Sequence, residues 1–132
     1  MSQENVERYR RSIAALDARE VPEDLLAPEF RMENVVNAVT DKTYEGQAGV
    51  REWITDTFDG VTEGTRFEIE EIIADGDDFV AGRVALVGSG ARSGAPLHLR
   101  WIAVVWFSDR KMTRCVGYAR RREALRAVGL EE

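Results

Sequence analysis

Few side chains in this sequence belong to a pattern that could catalyse a reaction or bind a metal ion. The chain has one histidine, His98, and one cysteine, Cys115, which excludes an internal disulfide and a cysteine-rich metal site. Three aspartates, Asp75, Asp77 and Asp78, surround a glycine. They are better explained by a hairpin turn than by a Ca²⁺ loop, which needs a longer pattern of ligands. We therefore expect no metal and no cofactor.

The sequence totals narrow the class of protein. A length of 132 residues predicts a single domain over residues 1–132 with a substantial core. The net charge of −6 argues against binding of nucleic acid, whose phosphates are contacted mainly by lysine and arginine. No signal peptide is recognised, and no apolar run approaches the roughly 18 residues of a membrane span. We expect a cytoplasmic protein with neither a membrane nor a nucleic acid as partner.

The first half of the chain predicts helices and one short strand. Apolar residues at helical spacing from Val6 to Leu16 indicate an amphipathic helix that ends before Pro22. Residues 22–26 are expected to form a short second helix, and residues 30–36 a short strand. A third helix is expected over residues 46–58, where the apolar residues again follow the 3.6-residue period.

The second half predicts four strands and a short terminal helix. Runs rich in β-branched and aromatic residues are separated by turn residues, a pattern typical of an antiparallel meander. The predicted strands cover residues 66–74, 79–87, 97–107 and 111–121. The helix is expected over residues 123–128. Together the two halves predict an α+β fold.

The longest strand is apolar on both of its faces. Trp101, Ala103, Val105 and Phe107 alternate with Ile102, Val104 and Trp106. A strand with one face in water would instead alternate apolar and polar residues. The helices can cover one face, and we expect a second copy of the chain to cover the other. The sequence thus predicts a homodimer formed through the outer face of the sheet.

Several motifs together resemble the SnoaL-like branch of the nuclear transport factor 2-like superfamily. They are the segment Tyr44-Glu45-Gly46-x-x-Gly49-Val50-Arg51-Glu52-Trp53, the Asp-Gly hairpin, the Gly/Ser loop at residues 88–94, and the ending that starts at Tyr118. The resemblance implies a cone-shaped α+β barrel. In such a barrel a curved antiparallel sheet, made of a four-strand meander and a short first strand, wraps round the N-terminal helices. It also implies a pocket between the sheet and the helices.

The resemblance allows two known catalytic designs to be compared with this sequence. Ketosteroid isomerases use a carboxylate base and two oxyanion donors, a tyrosine and a protonated aspartate. Their positions fall here on Asn34, Ser12 and Ala103, which lack the required basicity and acidity. We therefore expect no isomerase chemistry of that design.

The second design belongs to limonene-type epoxide hydrolases. Asn34 falls on their asparagine and Arg83 on their arginine, but Met32 replaces the tyrosine, and Ala85 and Gly117 replace the two aspartates. An arginine without a partner acid or base cannot open an epoxide by general acid–base catalysis. Catalytic residues of the chain therefore stay unassigned.

The remaining candidates form a mostly apolar ligand pocket. The predicted lining consists of Tyr9, Ser12, Leu16, Met32, Asn34, Trp53, Phe58, Arg83, Trp101, Ala103 and Val105. Asn34 is the most informative member because a buried amide needs a hydrogen-bond partner or a ligand. The orientation of Arg83 stays open, since the bulk of its neighbours turns it outward and the family comparison turns it inward. The predicted dimer interface consists of His98, Arg100, Ile102, Val104 and Trp106.

Three functions fit these observations. The first is a protein that binds a small apolar molecule in the cone, with catalysis left open. The second is an enzyme, such as a cyclase, dehydratase, isomerase or hydrolase, acting on polyketide-like or other cyclic small molecules. The third is a non-catalytic interaction module that acts as a homodimer. The first needs only features that the sequence supplies.

Overall fold

The computed structural model of the chain describes residues 2–33 and 42–130. Three α-helices and six β-strands are present in these residues. In chain order they are α1 (Ser2–Asp17), β1 (Leu26–Glu33), β2 (Tyr44–Glu45), α2 (Gly46–Phe58), β3 (Arg66–Asp75), β4 (Phe79–Ser89), β5 (Pro96–Ser108), β6 (Lys111–Tyr118) and α3 (Arg121–Ala127). A 3-10 helix, Glu23–Leu25, precedes β1.

The six strands form one curved, open sheet in the order β2-β1-β6-β5-β4-β3. From β3 to β6 each strand runs antiparallel to the next, whereas β1 runs parallel to β6. The sheet is therefore mixed, not wholly antiparallel as predicted. Two register shifts in β3 leave Glu70 and Ile73 as extra residues. Such bulges increase the twist and bend of a strand, which suits a sheet that curves round helices.

The main core lies between the sheet and the helices α1 and α2, on what we call the inner face. Fully buried side chains from both layers meet there, including Tyr9, Trp53, Val80 and Val105. The opposite, outer face carries a second cluster in which Ala124 of α3 packs with Ala81, Ile102 and Val104. The predicted α+β architecture is confirmed, with helices on both faces of the sheet.

The region around β1 differs from its prediction. The expected second helix over residues 22–26 shrinks to Glu23–Leu25, and β1 begins at Leu26 instead of residue 30. Pro28 lies inside β1, between pairs where the register with β6 shifts. A proline is tolerated at such an irregularity because no ladder hydrogen bond needs its missing N–H. Residues 34–36 of the predicted strand lie outside the described residues.

Candidate functional site

A small cavity lies between the inner face of the sheet and the helices. Its volume is about 30 Å³. Its walls are almost entirely apolar and come from α1, α2, the residues before β1 and four strands. They consist of Ser12, Ile13, Leu16, Pro22, Leu26, Phe30, Met32, Val50, Trp53, Phe67, Trp101, Ala103, Val105, Met112 and Cys115.

Tyr9 packs beside this cavity without lining it. Its side chain is 0% exposed, and its hydroxyl donates a hydrogen bond to the carbonyl oxygen of Ala103 at 2.9 Å. The ring fits because Gly82 has no side chain: a Cβ there would lie 2.7 Å from the Tyr9 oxygen. Burial raises the pKa of Tyr9 well above its usual value, so the hydroxyl stays protonated. Tyr9 therefore fixes α1 onto the sheet.

Trp53 provides an aromatic wall of the cavity from α2. Its ring meets Phe58 edge-on at a centroid distance of 6.5 Å and lies 5.5 Å from the Phe67 ring. Phe67 in turn stacks on Trp101 at 5.5 Å. These contacts hold the indole in one orientation. Its Nε1 is buried and has no hydrogen-bond partner among residues 2–33 and 42–130.

Two other polar groups reach the cavity wall. Ser12 is 1% exposed, and its hydroxyl donates to the carbonyl oxygen of Tyr9 at 2.7 Å. Cys115 is buried, and desolvation raises the pKa of its thiol to about 12. The thiol is therefore neutral at physiological pH and a poor nucleophile. Within the described part of the chain, no carboxylate, lysine, arginine or histidine lines the cavity.

Of the ten predicted pocket residues that the structure describes, seven meet at this cavity and three do not. The seven are Ser12, Leu16, Met32, Trp53, Trp101, Ala103 and Val105. Tyr9 and Phe58 lie beside it, and Phe58 is half-buried with the Arg19 guanidinium 3.8 Å from its ring centre. Asn34 lies outside the described residues.

Arg83 lies on the outer face, away from the cavity. It pairs in register with Ile102, an outer-face residue, and donates to Glu71 at 2.8 Å. Its side chain is 35% exposed. The inward orientation expected from the family comparison is wrong for this strand. The bulk of Val84 and Leu86, both buried in the main core, decides the orientation instead.

The five residues predicted at the dimer interface do lie on the outer face, where some already have partners in the same chain. Arg100 donates a hydrogen bond to Glu70 at 3.2 Å, and His98 lies 3.7 Å from the same carboxylate. Ile102 and Val104 are 3% and 0% exposed and pack with Ala124 of α3. Trp106 is half-buried, with the Arg114 guanidinium 5.2 Å from its ring centre.

Arg114 also anchors an ion pair at the edge of this outer-face cluster. Its guanidinium donates to Glu33 at 2.6 Å. That hydrogen bond is the main reason that the pKa of Glu33 lies below its usual value. The carboxylate therefore stays ionised near neutral pH and holds β1 to β6 on the outer face.

Sequence reasoning missed several cavity residues, and two of them have a clear cause. Met112 and Cys115 are three positions apart and both line the cavity, which a regular strand does not allow. The register between β5 and β6 shifts after Trp106 and leaves Thr113 as an extra residue. This bulge turns both side chains inward. Phe30 and Phe67 could have been found from the sequence, because each is an aromatic residue in a predicted strand. In the structure both are buried on the face that packs against α1 and α2.

Among residues 2–33 and 42–130, no group of three His, Cys, Asp or Glu side chains is arranged to hold a metal ion. None of the helices in that part of the chain has the length and apolar character needed to cross a membrane.

Comparison with protein families gives one match. A family model described as a SnoaL-like domain matches residues 6–115, which is most of the chain and includes the residues of both sheet faces up to Cys115. No curated protein matches the sequence.

Solved structures of similar shape come from several bacteria. A cystatin-fold protein from Novosphingobium aromaticivorans is 24% identical, with a TM-score of 0.67 over 89% of this chain and 97% of that one. A candidate SnoaL-like polyketide cyclase from Jannaschia sp. is 15% identical, with a TM-score of 0.72 over 99% and 95%. A protein with a ketosteroid isomerase-like fold from Catenulispora acidiphila, solved with trimethylamine, is 14% identical, with a TM-score of 0.68 over 98% and 95%. At identities of 24% or less, these similarities are evidence for the fold alone.

Proposed function

This chain belongs to the SnoaL-like domain family, and from that membership and the geometry of its cavity we propose that it binds a small apolar molecule between the helices and the sheet. The observation that supports this proposal best is the almost wholly apolar lining contributed by both layers. Ligand sites in proteins are commonly concave and apolar with a few polar groups. The ligand is neutral, because a charge would lose its hydration without meeting a charged partner from the described residues.

The size of the cavity limits which ligands can bind without a movement of its wall. A volume of about 30 Å³ is far below the roughly 150 Å³ of an apolar cavity that binds benzene. A ring-sized ligand must therefore displace part of the wall. Met32 and Met112 are the side chains best able to move, because methionine is unbranched and flexible. We expect modest affinity in the unmodified protein, limited by the free energy of opening the wall.

Catalysis is the alternative, and the Jannaschia neighbour's name suggests ring closure as the reaction. General acid–base catalysis needs a group whose pKa lies near the working pH. The one ionisable side chain in the described lining is Cys115, whose pKa of about 12 suits neither role. Binding without catalysis is therefore the better supported function.

A matched pair of variants tests the binding site. Val105 lines the cavity, whereas the neighbouring Val104 packs on the outer face, and both are buried. Each Val→Ala change removes two methyl groups and costs about 2 kcal/mol of stability. Only Val105→Ala enlarges the cavity, so its affinity for cyclopentane should rise about tenfold, a gain of about 1.4 kcal/mol.

The titration is followed through the methyl resonances of Met32 and Met112. Val104→Ala should bind cyclopentane with unchanged affinity, which controls for general loosening of the fold. Equal effects of the two variants, or no binding by either, would overturn the proposed site.

We also propose that the chain forms a homodimer through the outer face. The apolar surface available for a dimer is smaller than the sequence suggested, because α3 covers Ile102 and Val104. It rests on the half-buried Trp106 and Tyr118 at the edge of that cluster. Sedimentation equilibrium should give twice the chain mass of 14.9 kDa, and Trp106→Glu should give a single-chain mass. A single-chain mass for the unmodified protein at every concentration would refute the dimer.

A further inference from the structure

The buried indole nitrogen of Trp53 lacks the partner that such a group normally has. The residue is 1% exposed, and Nε1 makes no hydrogen bond to residues 2–33 or 42–130. Indole N–H is a donor only, so another donor cannot satisfy it. Most buried polar groups in folded proteins are paired, because an unmade hydrogen bond costs the full desolvation of the group. Trp53 lines the cavity, so a ligand that displaces part of the wall is a partner that can reach this buried N–H.

The indole cannot turn to find a partner within the protein. Phe58 meets its ring edge-on with an interplanar angle of 87°, and Phe67 lies against it at 58°. Rings held on two sides in this way keep one rotamer in a close-packed core. The N–H direction is thus fixed before any ligand arrives, which favours an acceptor placed at one point.

The other polar groups of the cavity do not supply that acceptor. The Ser12 hydroxyl is already bonded to the Tyr9 carbonyl at 2.7 Å. The Cys115 thiol is neutral, and sulfur in that form is a weak acceptor. The described lining therefore offers a free donor without a matching acceptor, and it offers no positive charge that could pair with an anion.

We infer that the ligand is a neutral apolar molecule carrying one oxygen acceptor, of the ketone, ester or ether class, which accepts a hydrogen bond from Trp53 Nε1. This inference rests on the proposed binding function and adds the chemical class of the ligand. It excludes hydrocarbons as preferred ligands, because they leave the N–H unpaired. It also excludes carboxylates, because their charge would be buried without a cation.

Two probes of the same ring size separate these possibilities. Cyclopentanone carries a carbonyl oxygen where cyclopentane carries a methylene. In the unmodified protein, the Trp53 indole proton resonance should move downfield with cyclopentanone and not with cyclopentane. The Trp106 indole lies on the outer face and serves as an internal control that should not move. These chemical shifts are measured on the unmodified protein alone.

Variants then measure how much the hydrogen bond contributes. Trp53→Phe should lower the preference for cyclopentanone over cyclopentane about fivefold, the effect of one ordinary hydrogen bond. Trp101→Phe removes another indole from the same wall and should keep the preference.

The outcomes are distinguishable. If cyclopentane shifts the Met32 and Met112 methyl resonances but cyclopentanone binds no better and leaves the Trp53 proton in place, the inference is overturned and the proposed function stands. That result would also follow if a trapped water already satisfied Nε1. If neither probe shifts those methyl resonances, the proposed function and the inference both fail.

Discussion

Ala103 and Gly82 face each other across β5 and β4, and their small size sets the inner face of the sheet at this point. Gly82 leaves space for the Tyr9 ring, and the Ala103 carbonyl accepts the Tyr9 hydroxyl. Ala103 also lines the cavity, and the sequence comparison aligned it with the aspartate that donates a hydrogen bond to the oxyanion in ketosteroid isomerases. A methyl group at this position leaves the cavity wall apolar, which supports the proposed binding of an apolar ligand.

Cys115 allows a test of how completely the cavity wall excludes water. Its pKa of about 12 leaves about one thiol in ten thousand ionised at pH 8, and the thiolate is the reactive form. We predict that the folded protein reacts with a thiol reagent at pH 8 far more slowly than the protein unfolded in guanidinium chloride. The rate should keep rising with pH instead of levelling off above about pH 9.5, one unit beyond the pKa of roughly 8.5 of an exposed cysteine. Equal rates for folded and unfolded protein would show that the wall is open to water.

At the scale of elements, α3 covers part of the outer face of the sheet. The sequence predicted this short helix, but not that it covers the outer face. Its apolar residues are too few to show a clear face, and its docking depends on the small side chain of Ala124, which is 0% exposed. The long strand β5 therefore has a partner on each face within one chain.

A charge placed on α3 tests this cover. Ala124→Asp would bury a carboxylate among Ala81, Ile102 and Val104 and should cost about 3 kcal/mol of unfolding free energy in a denaturant titration. Ala127→Asp changes an exposed position of the same helix and should cost less than about 1 kcal/mol. Similar losses for both variants would mean that α3 does not pack on the sheet.

The strands show where pattern reasoning reaches its limit. β4 is apolar on both faces, so alternation alone did not fix the orientation of Arg83. In β3 and β6, each bulge adds one residue, and beyond it the side chains that would point inward point outward and the reverse. The local sequence gives no sign of where these bulges occur. The hairpin after β3 was predicted, but Gly76 is not among the residues with positive φ. It is required because a Cβ there would lie 2.4 Å from the Phe79 ring.

At the scale of the whole molecule, the α+β fold followed from the 3.6-residue period of α1 and α2 and from the run of predicted strands in the second half. The curved sheet with helices on its inner face was implied by the resemblance to SnoaL-like proteins. The parallel pairing of β1 with β6 did not follow, because pairing between distant segments leaves no local pattern. Seven of the residues predicted for a ligand pocket line the cavity, and their role in binding stays a prediction. Its small volume depends on how closely large side chains pack, which the sequence does not encode position by position.

The central claim is that a small apolar molecule binds between the two layers, and intermolecular nuclear Overhauser effects test it most directly. With cyclopentanone in excess, its ring protons should show contacts to the Met32 and Met112 methyl groups, which line the cavity from β1 and β6. The Trp106 ring on the outer face should show none. Contacts confined to Trp106, or no contacts to either methionine at saturating probe, would contradict the account.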